Sequence, residues 1–234
     1  RNRLAMVAGI GCSSRLVGYV DFCTLHGTHG RAPAFAIGLK MARPELHVVV
    51  VTGDGDGLAI GANHLIHAAR RNIDITVLLL NNSIYGMTGG QAAPTTPTGS
   101  VASTTPGGNT EPNFDACKLL IGAGASFVAR VLAANPIEMT RVMVEGMTHS
   151  GFSFIEVVSD CPEYYGRYNG MGGGADMLTW MAGREVGVTG PLSSKRFVNH
   201  VPSSTPPPGM TTGIIQREER PVFTGVHGEG SHGP

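Results

Sequence analysis

The residues best placed to do chemistry are a carboxylate held between glycines, Gly53-Asp54-Gly55, and an amide pair, Asn81-Asn82. Each follows an apolar run, Val-Val-Val-Val-Thr before the first and Thr-Val-Leu-Leu-Leu before the second. The interval has room for a turn, a helix and one more strand. That is the content of a β-α-β unit, whose parallel strands bring both ends to the same edge of a sheet. A carboxylate and a side-chain amide meeting there are hard oxygen donors. Mg²⁺ prefers such donors at about 2.0–2.1 Å and commonly shares them with phosphate. Alone, Gly-Asp-Gly reads equally as a tight turn whose Asp caps the next helix. The amide pair at the end of the following strand favours the metal–diphosphate reading. Two other phosphate motifs are excluded: Leu58 and Ile60 stand where a GxGxxG turn needs glycine, and no GK[ST] follows for a P-loop.

The elements that must position these groups alternate. Residues 4–10 read as a buried strand ending at Gly11-Cys12-Ser13-Ser14, and 31–43 as a helix with Pro33 in its first turn. A strand is expected from His47 to Thr52, a helix over 58–71 and a strand from Asp74 to Leu80. Residues 83–113, rich in Gly, Pro, Thr and Ser, read as one long loop, a length that usually signals function or mobility. Helix 115–123, strand 126–130, helix 136–150 and strand 152–159 follow, closing on Asp160-Cys161-Pro162. The pattern predicts a mostly parallel sheet with helices on both faces. Ligands of such folds sit at the carboxyl ends of strands, and Cys12, Asp54, Asn82 and Cys161 each fall just after one. The domain is expected to span 1–190. Residues 191–234, with their Pro, Ser, Thr and Gly, read as a tail that wraps the domain or a partner.

The 234 residues carry 17 basic and 17 acidic side chains, so nothing electrostatic favours non-specific nucleic-acid binding. No apolar run approaches the ~20 residues of a membrane span. The opening, Arg1-Asn2-Arg3-Leu4, is a strand entered almost at its beginning, and the natural N-terminus is expected upstream. Cys12, Cys23, Cys117 and Cys161 form no CxxC pair and are too few for a disulfide scaffold, so a reducing cytoplasmic setting is expected. His26 and His29 have HxxH spacing without a third ligand or the Glu of HExxH, which excludes zinc. His29, nearer the helix start, is the better candidate to hydrogen-bond substrate or cofactor. Arg15 alone would be a solvated charge.

Gly53-Asp54-Gly55 followed by Asn82 resembles the signature of thiamine-diphosphate enzymes. The segments Gly9–Arg15, His26–Ala32, Gly53–Asp56 and Ile84–Gln91 are similar to the β subunits of 2-oxoacid:ferredoxin oxidoreductases, with the 2-oxoglutarate enzymes nearest in wording. The resemblance covers roughly residues 5–180. It implies the thiamine-diphosphate-binding (diphosphate) fold and CoA-dependent oxidative decarboxylation of a 2-oxoacid, or its reductive reverse. Electrons would pass through a 4Fe–4S cluster to ferredoxin.

The resemblance also assigns roles. Asp54, the Asn82 side chain and the Ile84 carbonyl would hold Mg²⁺ on the diphosphate. Gly53 and Gly55 flank the metal ligand, and Gly55 would let the backbone approach that diphosphate. Asp56 would cap the next helix or hold a metal-bound water. Gly86, Met87 and Thr88 would lie over the thiazolium end, with Thr88 donating a hydrogen bond. Cys12 and Cys161 would be two of the four cluster ligands, the others coming from an upstream CxxC; Cys23 and Cys117 do not match. Arg15 would face the distal carboxylate of a dicarboxylic substrate. The activating Glu would sit on the pyrimidine domain of a partner α subunit, leaving this chain inactive alone. A non-redox thiamine-diphosphate subunit and a degenerate scaffold subunit are the competing readings.

Overall fold

The structure, a computed structural model, describes residues 3–183, 185–187 and 210–224. The chain runs β1 (Leu4–Ala8), β2 (Cys23–His26), α1 (Ala32–Ala42), β3 (His47–Gly53), α2 (Ala62–Arg70), β4 (Thr76–Asn81), the two-residue strands β5 (Ile84–Tyr85) and β6 (Gln91–Ala92), α3 (Ala116–Gly122), β7 (Phe127–Leu132), α4 (Pro136–Thr148), β8 (Ser153–Val158), α5 (Gly174–Ala182), β9 (Glu185–Gly187) and β10 (Met210–Arg217). Eight strands form one sheet in the order β2-β1-β3-β4-β8-β7-β10-β9. It is parallel except where β10 joins β7 antiparallel.

Strand alternation divides the apolar residues between two cores. Val48 and Val50 of β3, with Val77 and Leu79 of β4, face the layer carrying Ala36 of α1, Leu65 and Ala69 of α2, and Leu120 of α3. Val49, Val51 and Leu78 face the other side, with Val142 of α4 and Val17. Burying such a side chain contributes about 1.5–3 kcal/mol, and burial on both faces is why these strands read as unbroken apolar runs rather than alternating ones.

Four departures from the sequence reading have local causes. The first strand stops at Ala8, because Cys12 begins a tight turn and a short 3₁₀ helix over Ser13–Gly18. β2 was hidden because it is an exposed edge strand without an apolar pattern. The helix expected over 58–71 begins only at Ala62, after a π-type turn over Gly55–Ile60, a widened turn often found at functional sites. Finally, Met210–Arg217, within the stretch read as a tail beyond residue 190, is a strand of the main sheet. Its Gly, Pro and Thr neighbours masked a short β-branched run. Residues 191–209 and 225–234 of that stretch lie outside the described residues.

Chain order reverses beside β1. From β1 the chain moves outward to β2, and it then returns to the other side of β1 with β3 and β4. In open α/β sheets the crevice at such a reversal, outside the strands' carboxyl ends, is where ligands bind.

Candidate active site

A cavity of about 680 Å³ lies at that crevice. Its walls come from the loop after β1 (Ile10 to Ser13), from His29, from Gly53 and Asp56 after β3, from Asn82 after β4, from the loop Ile84–Thr88 and Gln91, and from Ser159 and Asp160 after β8. The register explains the meeting. Gly53 pairs with Leu80, so the residues following β3 and β4 emerge side by side.

Asp54 sits behind this wall, 2% exposed. It makes no side-chain cap to the following turn, so the capping reading of Gly-Asp-Gly does not describe it. The Thr95 hydroxyl donates to its Oδ2. Desolvation raises its carboxyl to about 7, although hydrogen bonds from Thr95 and from the Gly55 and Asp54 backbone pull the other way; Glu156 adds to the rise. A buried carboxylate whose ionised form is penalised by desolvation is a natural ligand for a cation, whose charge would offset that penalty. The Asn82 side-chain oxygen accepts the Ile84 N–H at 3.3 Å, a local turn that keeps amide and carbonyl in one short segment. Asn82 and Ile84 line the cavity and Asp54 follows Gly53, which lines it too; a carboxylate, an amide and a carbonyl are oxygen donors of the kind Mg²⁺ takes. Among the described residues no group of three or more His, Cys, Asp or Glu could hold a metal. A site with one carboxylate, one amide and one carbonyl needs no such group.

Asp56 is neither a helix cap nor a surface carboxylate. It is 3% exposed and accepts the Gly30 N–H at 2.6 Å, the Ile10 N–H at 3.2 Å and the Thr52 hydroxyl at 2.6 Å. It therefore ties the loops after β1 and β2 to β3. His29 Nδ1 lies 2.8 Å from Asp56 Oδ1, close enough for charge pairing but out of line for a hydrogen bond. Gly9 is required here, since a Cβ would sit 2.1 Å from the Asp56 carboxylate. Gly55 is backed by the Tyr85 ring, which a Cβ would meet at 2.2 Å, and the Tyr85 hydroxyl donates to the Gly55 carbonyl at 3.1 Å. Desolvation, then the charges of Asp54 and Asp56, raise the Tyr85 phenol. Met87 and Thr88 are exposed on the rim, and Thr88 Oγ1 donates to Gln91 Oε1 at 2.6 Å.

Cys12 and Cys161 come together over the same loop. A Cβ on Gly86 would lie 3.3 Å from the Cys12 sulfur and 3.5 Å from that of Cys161. Partial desolvation, and after it the charge of Cys161, raise the Cys12 thiol. Two thiols so placed suit a cationic iron centre that takes up both as thiolates. Cys23 lies on the exposed edge strand β2. Cys117 is buried, its sulfur 3.3 Å from Glu156 Oε2, and burial pushes its thiol well up. Arg15 is exposed on the short helix after Cys12 and does not line the cavity.

The sequence reading missed Thr95 and Glu156. Thr95 lies in an aperiodic loop and carried no signal. Glu156 did: a carboxylate inside the apolar run Phe-Ile-Glu-Val-Val must find a partner.

Residues 9–157 match the family described as thiamine pyrophosphate enzyme, C-terminal TPP binding domain. The chain belongs to this family. It is 57% identical over 178 residues to 2-oxoglutarate synthase subunit KorB of Methanothermobacter marburgensis, covering 76% of this chain and 62% of that protein. It is 57% identical over 175 residues to the subunit of the same name from Methanocaldococcus jannaschii, covering 75% and 65%. A solved 2-oxoglutarate:ferredoxin oxidoreductase from Magnetococcus marinus, with 2-oxoglutarate, coenzyme A and succinyl-CoA bound, is similar at a TM-score of 0.82. Its identity is 31%, over 95% of this chain and 74% of that one. The chain spans less than two thirds of the length of the two curated relatives. The expected thiamine-diphosphate-binding fold is the fold of this family.

Proposed function

We propose that the chain is the cofactor-binding β subunit of a 2-oxoglutarate:ferredoxin oxidoreductase. What supports the proposal is one cavity lined by Cys12, Gly53, Asn82 and Ile84, with Asp54 next to Gly53 in the chain and the Cys12 and Cys161 sulfurs both beside Gly86. The names of the relatives support the substrate class. Asp54, Asn82 and Ile84 would hold Mg²⁺ against a diphosphate, with Gly53 and Gly55 beside it. Thiamine diphosphate, when bound, supplies the electron sink for decarboxylating a 2-oxoacid. The protein then contributes position and electrostatics: Asp56 fixes the loops around the cavity, and Gly86, Met87 and Thr88 cover its outer end. His29, on the cavity wall, would donate to or accept from the substrate. Arg15 would reach the cavity mouth from the exposed helix after Cys12 and pair with a distal carboxylate.

Cys12 and Cys161 would supply two of the four thiolates of a 4Fe–4S cluster, which would carry electrons to ferredoxin before coenzyme A takes the acyl group. Ile10 and Met87, exposed apolar residues at the cavity, together with Ile60 and Phe35, fit coverage by an α subunit bearing the pyrimidine domain and the activating Glu. No helix among the described residues is long and apolar enough to cross a membrane, and free cysteines suit a reducing cytoplasm.

The test is reconstitution of the full-length protein, including the expected upstream CxxC, with the partner subunit, followed by assays for iron, thiamine diphosphate and 2-oxoacid-dependent ferredoxin reduction. 2-Oxoglutarate should be preferred over pyruvate, and Arg15→Ala should erase most of that preference. Bound thiamine diphosphate without iron would transfer the chain to the non-redox enzymes. Neither cofactor would make it a scaffold.

A further inference from the structure

The end of β4 is held from within the sheet by a buried ion pair. Arg130 on β7 and Glu156 on β8 are both buried, with Nε 2.7 Å from Oε2. Arg130 also reaches Asp115 Oδ1 at 3.0 Å. The other Glu156 oxygen, Oε1, accepts the Asn81 amide N–H at 2.7 Å. Asn81 turns its own side-chain carbonyl outward, accepting the Ser83 N–H at 3.0 Å, while its backbone carbonyl accepts the Ser159 N–H at 2.8 Å.

Ser83 has a φ of 62°, in the left-handed region that disfavours residues bearing a Cβ by roughly 1–2 kcal/mol. It keeps this conformation with its N–H on Asn81 and its carbonyl accepting the Thr96 hydroxyl at 2.6 Å. Both neighbours of Asn82 are therefore fixed by protein contacts, and Asn82 faces the cavity. Replacing a buried ion pair by apolar residues is often neutral or stabilising, so stability alone accounts poorly for this one. Its connection to Asn81 reaches the cavity edge.

We propose that Asn81 is a positioning residue: clamped by Glu156, it sets the left-handed turn at Ser83 and so aims the Asn82 amide and the Ile84 carbonyl at a diphosphate-bound Mg²⁺. This rests on the functional reading above and adds to it the device that shapes the metal site.

The test is calorimetry of thiamine diphosphate with Mg²⁺ on the assembled complex. Four forms are compared: the parent, Asn81→Ala, Asn81→Asp, and the double variant Asn81→Asp with Glu156→Gln. Loss of a group that orients a metal ligand typically weakens affinity on the order of 10- to 100-fold, and that loss is expected for Asn81→Ala. Asn81→Asp alone sets two carboxylates against each other and should also bind weakly. In the double variant the introduced amide donates to the introduced carboxylate and accepts from Arg130 Nε, while the carboxylate still accepts the Ser83 N–H. Most of the affinity should return; the melting temperature of each metal-free complex is measured alongside, and an affinity loss that merely tracks a lower melting temperature overturns the positioning role. Parent-like binding by Asn81→Ala overturns the proposal. So does a double variant that binds no better than Asn81→Asp; this pair decides if Asn81→Ala does not assemble. A parent complex that binds no thiamine diphosphate would instead overturn the functional reading, whatever the variants do.

Discussion

At the residue scale the governing fact is a carboxylate with no room for its own charge. Asp54 rises from the ordinary 3.8 to about 7 because burial penalises its ionised form more than its hydrogen bonds favour it. The sign follows. A raised folded value means that the protonated form stabilises the metal-free protein at low pH, and this contribution fades as pH climbs through about 7. A divalent cation competes with the proton and replaces it. The gain in melting temperature on adding Mg²⁺ and thiamine diphosphate to the complex should therefore grow from acidic to mildly alkaline pH. A gain that does not change with pH would remove Asp54 from the metal site. Asp54→Ala should abolish cofactor binding in calorimetry of the same complex. Cys12→Ala should lower the iron bound per complex while leaving thiamine diphosphate in place; unchanged iron would remove Cys12 from the cluster.

At the element scale the site is a set of strand ends kept in relative position. Asp56 is the main tie, since it takes hydrogen bonds from the loops after β1 and β2 and from β3 itself. Replacing it with Ala leaves buried N–H groups without an acceptor, each a penalty of about 1–3 kcal/mol. Asp56→Ala should destabilise the complex by roughly 2–4 kcal/mol on that basis, read from denaturant unfolding. Asp56→Asn, which keeps one acceptor oxygen, should lose less. Equal losses would mean that the carboxylate's geometry, not its accepting capacity, is what matters. The apolar runs and the Pro at the start of α1 and α4 made most of these elements legible beforehand. β2 was not, because an exposed edge strand buries too little to impose a pattern, and β10 was not, because its short β-branched run stands among Gly, Pro and Thr.

At the scale of the whole molecule, β10 covers an edge that β7 would otherwise expose. Ile214 and Ile215 pack into the two cores. The Asn72 amide donates to the carbonyls of Arg220 and Pro221, at 3.1 and 3.2 Å, fastening the segment that follows. Uncovered, β7 would present unpaired backbone groups beside apolar side chains, a template for aggregation. A chain ending at residue 209 should melt lower and aggregate more readily than the full chain, measured by light scattering of the two complexes side by side. Equal behaviour would make the C-terminal strand dispensable.

The sequence alone determined the layered α/β architecture, because two-sided burial writes itself as apolar runs of characteristic length and spacing. It also determined that Cys12, Asp54, Asn82 and Cys161 follow strands, since strand ends are marked by glycine and polar residues. Only the tertiary structure decided what those residues meet. The hydroxyl of Thr95 on Asp54, the Ile10 and Gly30 N–H groups on Asp56, the Tyr85 hydroxyl on the Gly55 carbonyl and the clamp from Glu156 to Asn81 all join segments distant along the chain. No local pattern encodes such contacts, because strand order and register, not sequence spacing, set which ends become neighbours.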